Sequence, residues 1–165
     1  MKALVLGASG ATGKLAVRQL AQRGIEVRAL LREGASLGEG PIDLASVEVR
    51  RGSIAELDQA ALAGLVEGCD AIVSCLGHNI TLKGIFGAPR LLVHGAVKAC
   101  CEALRKGGGP KRKLVLMSTT ASEDRELRED RSAAERAILA ALTLALPPHR
   151  DNNAAAAYQG EEVGR

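Results

Sequence analysis

Aromatic residues are almost absent from this chain: it has no tryptophan, and Phe86 and Tyr158 are its only phenylalanine and tyrosine. The stacking platforms on which single-stranded nucleic acid lies are therefore missing. A strong charge of one sign is missing too. Lys and Arg number 22 against 19 Asp and Glu, a net +3 that is too slight to imply a polyanionic partner. The run Lys111-Arg112-Lys113, between a Gly/Pro turn and an apolar segment, reads as a solvated basic loop. The four cysteines, Cys69, Cys75, Cys100 and Cys101, form no Cys-x-x-Cys pair and have no histidine at metal-ligand spacing, so they read as reduced core residues. No apolar run approaches membrane-spanning length, and the one that starts at Met1 stops at Gly7, well short of a secretory h-region. These absences lead us to expect a cytoplasmic protein with no nucleic-acid, membrane or metal partner.

What is present is more specific. Residues 3–13 read Ala-Leu-Val-Leu-Gly-Ala-Ser-Gly-Ala-Thr-Gly, an apolar strand running into Gly7-x-x-Gly10-x-x-Gly13, with a helical pattern starting at once. Gly7 lets the chain turn sharply off the strand, Gly10 omits the Cβ that would block a pyrophosphate, and Gly13 lets the helix sit close on the sheet. Backbone N–H groups at the helix start, at the positive end of its dipole, would face the phosphates. Glycine triplets are common in turns; the strand before and the helix after give this one its meaning. Gly7, Ala8, Ser9, Gly10, Ala11, Thr12 and Gly13 are thus candidate cofactor-binding residues.

A second strand, Ile25 to Arg32, follows about 20 residues on, where its last residue selects the cofactor. An acidic residue there would accept from the ribose hydroxyls of NAD; a guanidinium can pair with the extra phosphate of NADP. Arg32 argues for NADP, with Glu33 beside it as the competing residue.

Alternating elements continue along the chain. Helix one is expected over residues 11–23, with Leu15 and Leu20 inward and Gly24 stopping it. Further on we expect a short third strand at 47–52, a helix at 56–67 with Leu57, Ala61, Leu62 and Leu65 inward, and a nearly continuous apolar fourth strand at 71–77. A long helix over 89–106 and a fifth strand over 113–118 follow. Right-handed crossovers then give an α/β fold, a doubly wound parallel sheet of Rossmann type with strand order 3-2-1-4-5. A chain of this length can bury roughly 70% of its unfolded surface in one core, so residues 1–165 read as one domain. Its 121–150 segment is a charged and helical excursion, either a lid or a surface feature. Within it Ser132-Ala133-Ala134-Glu135 is a capping box that opens a helix stopped by Pro147-Pro148.

Taken together, Gly7 to Gly13, Val27 to Arg32, Gly68-Cys69-Asp70-Ala71-Ile72-Val73, Leu76-Gly77 and Leu114 to Thr119 resemble the atypical short-chain dehydrogenases, most closely the NmrA-like and flavin or biliverdin reductase B-like NAD(P)-binding proteins. The resemblance covers about residues 1–160. It implies that the glycine turn holds the pyrophosphate and Arg32 the 2′-phosphate. It places Leu76, Gly77 and His78 beside the nicotinamide ribose, and Ser118 and Thr119 near the ring.

The chain departs from that pattern in three places. The family often has Gly-Asp after strand three; here Gly52-Ser53 stands there, and Ser53 can still accept a hydrogen bond. A tyrosine general acid in short-chain dehydrogenases needs a lysine four residues later, but Tyr158 is followed at that spacing by Glu162, so it reads as a helix-packing residue. The family also continues into another strand, whereas here residues 154–165 read as a truncated crossover helix and tail. The sheet is thus expected to be incomplete on that side, with strand five left as an apolar edge open to self-association or a protein partner. The candidate catalytic groups are His78, which titrates near neutrality, with Ser118 and Thr119 as donors to an acceptor carbonyl. His149 and Asp151 could pair, although Asp151-Asn152-Asn153 reads first as helix capping. Two functions stay open: an NADPH-dependent reductase of a small carbonyl, flavin or quinone-like acceptor, and a noncatalytic NADP-binding sensor or regulatory module.

Overall fold

The computed structural model describes residues 1–38, 47–77, 92–108, 112–117 and 132–162. Contacts gather the chain into two compact units, Met1–Leu76 with Ala99–Met117, and Gly77–Lys98 with Ser118–Arg165.

The first unit is built on a five-stranded parallel sheet: β1 (Lys2–Leu6), β2 (Glu26–Leu31), β3 (Val47–Arg51), β4 (Ala71–Ser74) and β5 (Lys113–Leu116). Its order, β3-β2-β1-β4-β5, is the expected one, and the fold is a Rossmann-like α/β fold. The registers Val5↔Ala29 and Val5↔Val73 align one face of the sheet. Helix α1 (Ala11–Gln22) covers that face, burying Val17 against Val5, Val27, Ala29 and Leu31. Leu15 was expected inward but is 55% exposed. The buried face runs through Gly13 and Val17, four residues apart, and a residue two positions from each lies on another side of the helix. Gly24, at φ +72°, ends α1; Gly24 N–H donates to Ala21 O and Ile25 N–H to Leu20 O, the paired bonds of a Schellman stop.

The opposite face carries α2 (Gln59–Val66) and the C-terminal half of α3 (Leu92–Lys106). Helix α2 starts three residues later than expected because Asp58 caps it, accepting from Ala61 N–H at 2.8 Å. That cap leaves Ala61 exposed, while Leu62 and Leu65 are buried as expected. In β5, Leu114 and Leu116 are half-buried and Val115 exposed, as is Met117 just after the strand. The cysteines are free thiols, and Cys69, Cys100 and Cys101 are buried. Desolvation raises all four thiols above their usual range, Cys100 to about 12, as expected for the three core residues and for the half-buried Cys75 just after β4.

The described part of the second unit comprises the N-terminal turns of α3, helix α4 (Ala133–Ala145) and helix α5 (Pro147–Glu162). The capping box forms as expected: Glu135 Oε2 accepts from Ser132 N–H at 2.8 Å, and Glu135 N–H donates to Ser132 Oγ at 3.3 Å. Pro147, expected only to stop α4, also opens α5, since a first-turn position has no N–H to lose and favours proline's fixed φ. Among the described residues no helix is long and apolar enough to cross a membrane, and no cluster of His, Cys, Asp and Glu could hold a metal ion.

Candidate cofactor-binding site

At the C-terminal end of β1 the chain turns through Gly7 at φ +70°, and Gly10 N–H closes the turn onto Gly7 O at 3.0 Å. A Cβ on Gly7 would lie 2.6 Å from Cys75 O, and one on Gly13 would lie 2.1 Å from Gly7 O. Both glycines therefore exist for close backbone packing: Gly7 against the end of β4, Gly13 against the turn itself. Gly10 differs. Its φ of −71° and ψ of 165° suit any residue, and its nearest neighbour would be Gly7 O at 3.3 Å. Among the described residues only that one slightly tight backbone contact opposes a Cβ there, a far weaker demand for glycine than at Gly7 or Gly13, and a ligand is a further reason for it.

Ala8 and Gly13 are buried and Ser9 half-buried, while Gly10, Ala11 and Thr12 are exposed at the start of α1. Helix α1 has no side-chain cap and no acidic residue in its first turn. Three of the other four helix starts are served by protein side chains, α2 by Asp58, α4 by Ser132 and Glu135, and α3 by Asp151, while α5 opens on two prolines that have no N–H to satisfy. The open N–H groups and positive dipole end of α1 suit an anion. The residues present thus fit a dinucleotide pyrophosphate.

Other expected residues stand at or just after the C-terminal ends of the neighbouring strands. Leu76, half-buried, lies against Gly7, whose Cβ would stand 3.0 Å from Leu76 N. Arg32 is exposed just past β2, and its carbonyl accepts from Arg51 at the end of β3. Ser53 is half-buried in the following turn, where its carbonyl accepts from Glu56 N–H at 2.9 Å. Gly77 is exposed, beyond β4 in the second unit. His78, Ser118 and Thr119 lie outside the described residues, as does the charged stretch 121–131.

Two roles were missed in the sequence. Arg28 alternates with the core-facing Val27 and Ala29, so it points to the α2 face, where it is buried. There its Nη1 donates to Gly64, Leu65 and Glu67 carbonyls at 3.1, 2.7 and 2.8 Å, capping the C-terminus of α2. Its Nε donates to Glu48, its register partner on β3, at 2.9 Å. That pairing of Arg with Glu on adjacent strands was the available signal. The second role belongs to Asp151. Instead of capping its own helix, it sits fully buried within α5 and accepts from Val93 and His94 N–H at 2.8 and 2.9 Å, so a side chain already occupies the anion-binding start of α3. In the same unit Tyr158 packs edge-on against His94, ring centres 5.8 Å apart at 87°, in keeping with a packing role. His149 Nδ1 lies 3.1 Å from Asn153 Nδ2, one helical turn away.

The profile of NAD(P)H-binding proteins matches residues 7–159. The chain belongs to that family. The match begins at Gly7, the first glycine of the turn. No curated protein matches the chain. Among solved structures it is similar to the oxidoreductase ylbE from Lactococcus lactis, with 18% identity and a TM-score of 0.66, over 98% of this chain and 64% of that one. It is also similar to the Bordetella bronchiseptica enzyme WbmH in complex with NAD+, with 18% identity and a TM-score of 0.65, over 96% of this chain and 52% of that one. A short-chain dehydrogenase/reductase from Veillonella parvula gives 16% identity and a TM-score of 0.65, over 98% and 64%. Identities this low establish the shared fold, and the chain spans less than two thirds of the length of each of these structures.

Proposed function

We propose that this chain binds NADP(H) and that it reduces a small carbonyl, flavin or quinone-like acceptor, as a cytoplasmic member of the NmrA-like and flavin reductase-like branch of its family. The observation that carries the reading is the helix start left open at Gly10 while α2, α3 and α4 are each capped by a protein oxygen. When bound, the nicotinamide supplies a hydride to the acceptor. The chain's own groups supply position: the Gly7–Gly13 turn holds the pyrophosphate, Arg32 pairs with the 2′-phosphate, Ser53 accepts from the adenine, and Leu76 and Gly77 line the ribose. His78, Ser118 and Thr119 flank the ring, where a hydroxyl donates to the acceptor carbonyl and solvent or His78 delivers the proton. Self-association, or a protein partner, at the outer edge of β5 belongs to the same proposal, supported by the exposed Val115 and Met117.

One observation favours a second reading, a noncatalytic NADP-binding sensor: Tyr158 packs on His94 and has Glu162, not lysine, one turn later, so the usual Tyr/Lys proton donor is missing. NADPH oxidation with a panel of quinones, flavins and small carbonyls, set beside NADPH binding, separates the two. Turnover supports the reductase; tight binding without turnover on any acceptor supports the sensor.

Two variants test the site itself. Gly10→Val should fold normally and lose affinity for NADPH and NADH alike, because its side chain would fill the space proposed for the pyrophosphate. Undiminished affinity by calorimetric titration would make the turn purely structural. Arg32→Ala should weaken NADPH by roughly 1–3 kcal/mol and leave NADH nearly unchanged, the loss of a charge-assisted bond to one phosphate. An equal loss for both cofactors would remove Arg32 from the phosphate.

A further inference from the structure

The turn that carries Arg32 is held from outside. Arg51, paired with Leu31 in the parallel register, donates from Nη1 to Arg32 O at 3.2 Å and also to Ala35 O. Two backbone bonds fix the same turn, Ala35 N–H to Arg32 O at 3.0 Å and Gly52 N–H to Leu31 O at 2.9 Å. Leu37 is buried in the α1-side core and anchors the far end of the loop. Beyond it Gly38 adopts φ +78°, and a Cβ there would lie 3.4 Å from Lys14 Nζ, so a cation from the first turns of α1 rests against the loop. Among the described residues no carboxylate lies within ion-pair distance of Lys14, Arg32 or Arg51. Three cations therefore flank one short loop that carries Glu33, and among the described residues none of the three pairs with a carboxylate, whereas Lys2, Arg28 and Arg50 share Glu48.

We infer that Arg51 is a positioning residue for cofactor choice: by clamping the Arg32–Ala35 turn it fixes the backbone from which the Arg32 guanidinium meets a ribose 2′-phosphate, with Lys14 adding positive field from the α1 side. The inference rests on the NADP(H) reading. A long arginine side chain on a free loop loses much of its charge-assisted bond to the entropy of ordering loop and side chain together, and fixing the backbone beforehand removes part of that cost. Arg51 is exposed, so its two bonds add little to global stability and their effect falls on the loop.

The test compares adenosine 2′,5′-bisphosphate with ADP as probes by calorimetric titration of wild type, R51M, R51K, R32A and the R32A/R51M double variant, with thermal unfolding of each. R51M should unfold at nearly the wild-type temperature and lose about three- to tenfold in its preference for the 2′-phosphate, with ADP affinity unchanged. R51K, which keeps the charge and can donate to the same carbonyls, should recover part of the preference. In the R32A background R51M should cost nothing further, since Arg51 acts through Arg32. A wild-type protein that binds both probes equally overturns the NADP(H) reading itself. A clear wild-type preference that survives R51M, or that falls as much in the R32A background as without it, overturns the role of Arg51 while leaving that reading intact.

Discussion

Gly13→Ala should be among the most damaging single substitutions in this chain, costing roughly 4 kcal/mol or more of the 5–15 kcal/mol that holds a domain together. The added methyl would lie 2.1 Å from Gly7 O and 2.8 Å from Ala8 Cα, and both neighbours are backbone that no rotamer change can move. Helix α1 would have to lift off the end of β1, pulling Val17 from Val5 and Ala29. Gly7→Ala should be comparably harmful, because it meets Cys75 O at 2.6 Å and forces a Cβ into φ +70°. Gly10→Ala, with an ordinary φ and a nearest contact of 3.3 Å, should stay within about 1 kcal/mol of wild type. Urea unfolding of the three variants checks this. A Gly13→Ala midpoint equal to that of Gly10→Ala would mean that the turn relaxes freely, and the division into two packing glycines and one ligand-facing glycine would fail.

That division shows what could be read from the sequence. The glycine spacing announces a tight strand-to-helix turn because each steric demand is local, met within residues 7–13. The strand order followed in the same way from a chain of short apolar strands and right-handed crossovers. Reading failed where two apolar residues competed for one face: Leu15 and Val17 look alike in the sequence, and only the position of Gly13 under the turn decides that Val17 is the buried one. It also failed where a polar group reaches far along the chain. Arg28 caps a helix 36–39 residues away, and Asp151 serves backbone groups 57 and 58 residues away. In the sequence Asp151 stands before two asparagines in the pattern of a local cap; its real partners are set by the packing of α5 on the start of α3 within their unit.

The second large effect is expected at Arg28. Arg28→Met keeps the length and apolar stem of the side chain, so it leaves little cavity, but it removes the donor shared by the Gly64, Leu65 and Glu67 carbonyls and one partner of Glu48. A buried acceptor left unpaired costs about 1–3 kcal/mol. Some of these carbonyls can turn to water at the open end of α2, so a total near 3 kcal/mol is expected, or roughly 6–12 °C in melting temperature for a chain of this size. The pH dependence supplies an independent readout. Hydrogen bonds from Lys2 first, then Arg28 and Arg50, hold the Glu48 carboxyl well below its usual range, from 4.5 to about 2. A carboxylate with a lowered folded-state pKa stabilises fully above the unfolded value, and that contribution is lost as pH falls from about 4.5 towards 2. Glu48 is partly exposed and its pairs are screened, so its share should be no more than about 1 kcal/mol per pair. In Arg28→Met one of the three cations is gone, so stability should be lower at pH 7 and should fall less steeply between pH 5 and about pH 2. A variant with wild-type stability at neutral pH, or with an acid limb as steep as that of wild type, would show that the Arg28 guanidinium does not hold α2 and Glu48 together.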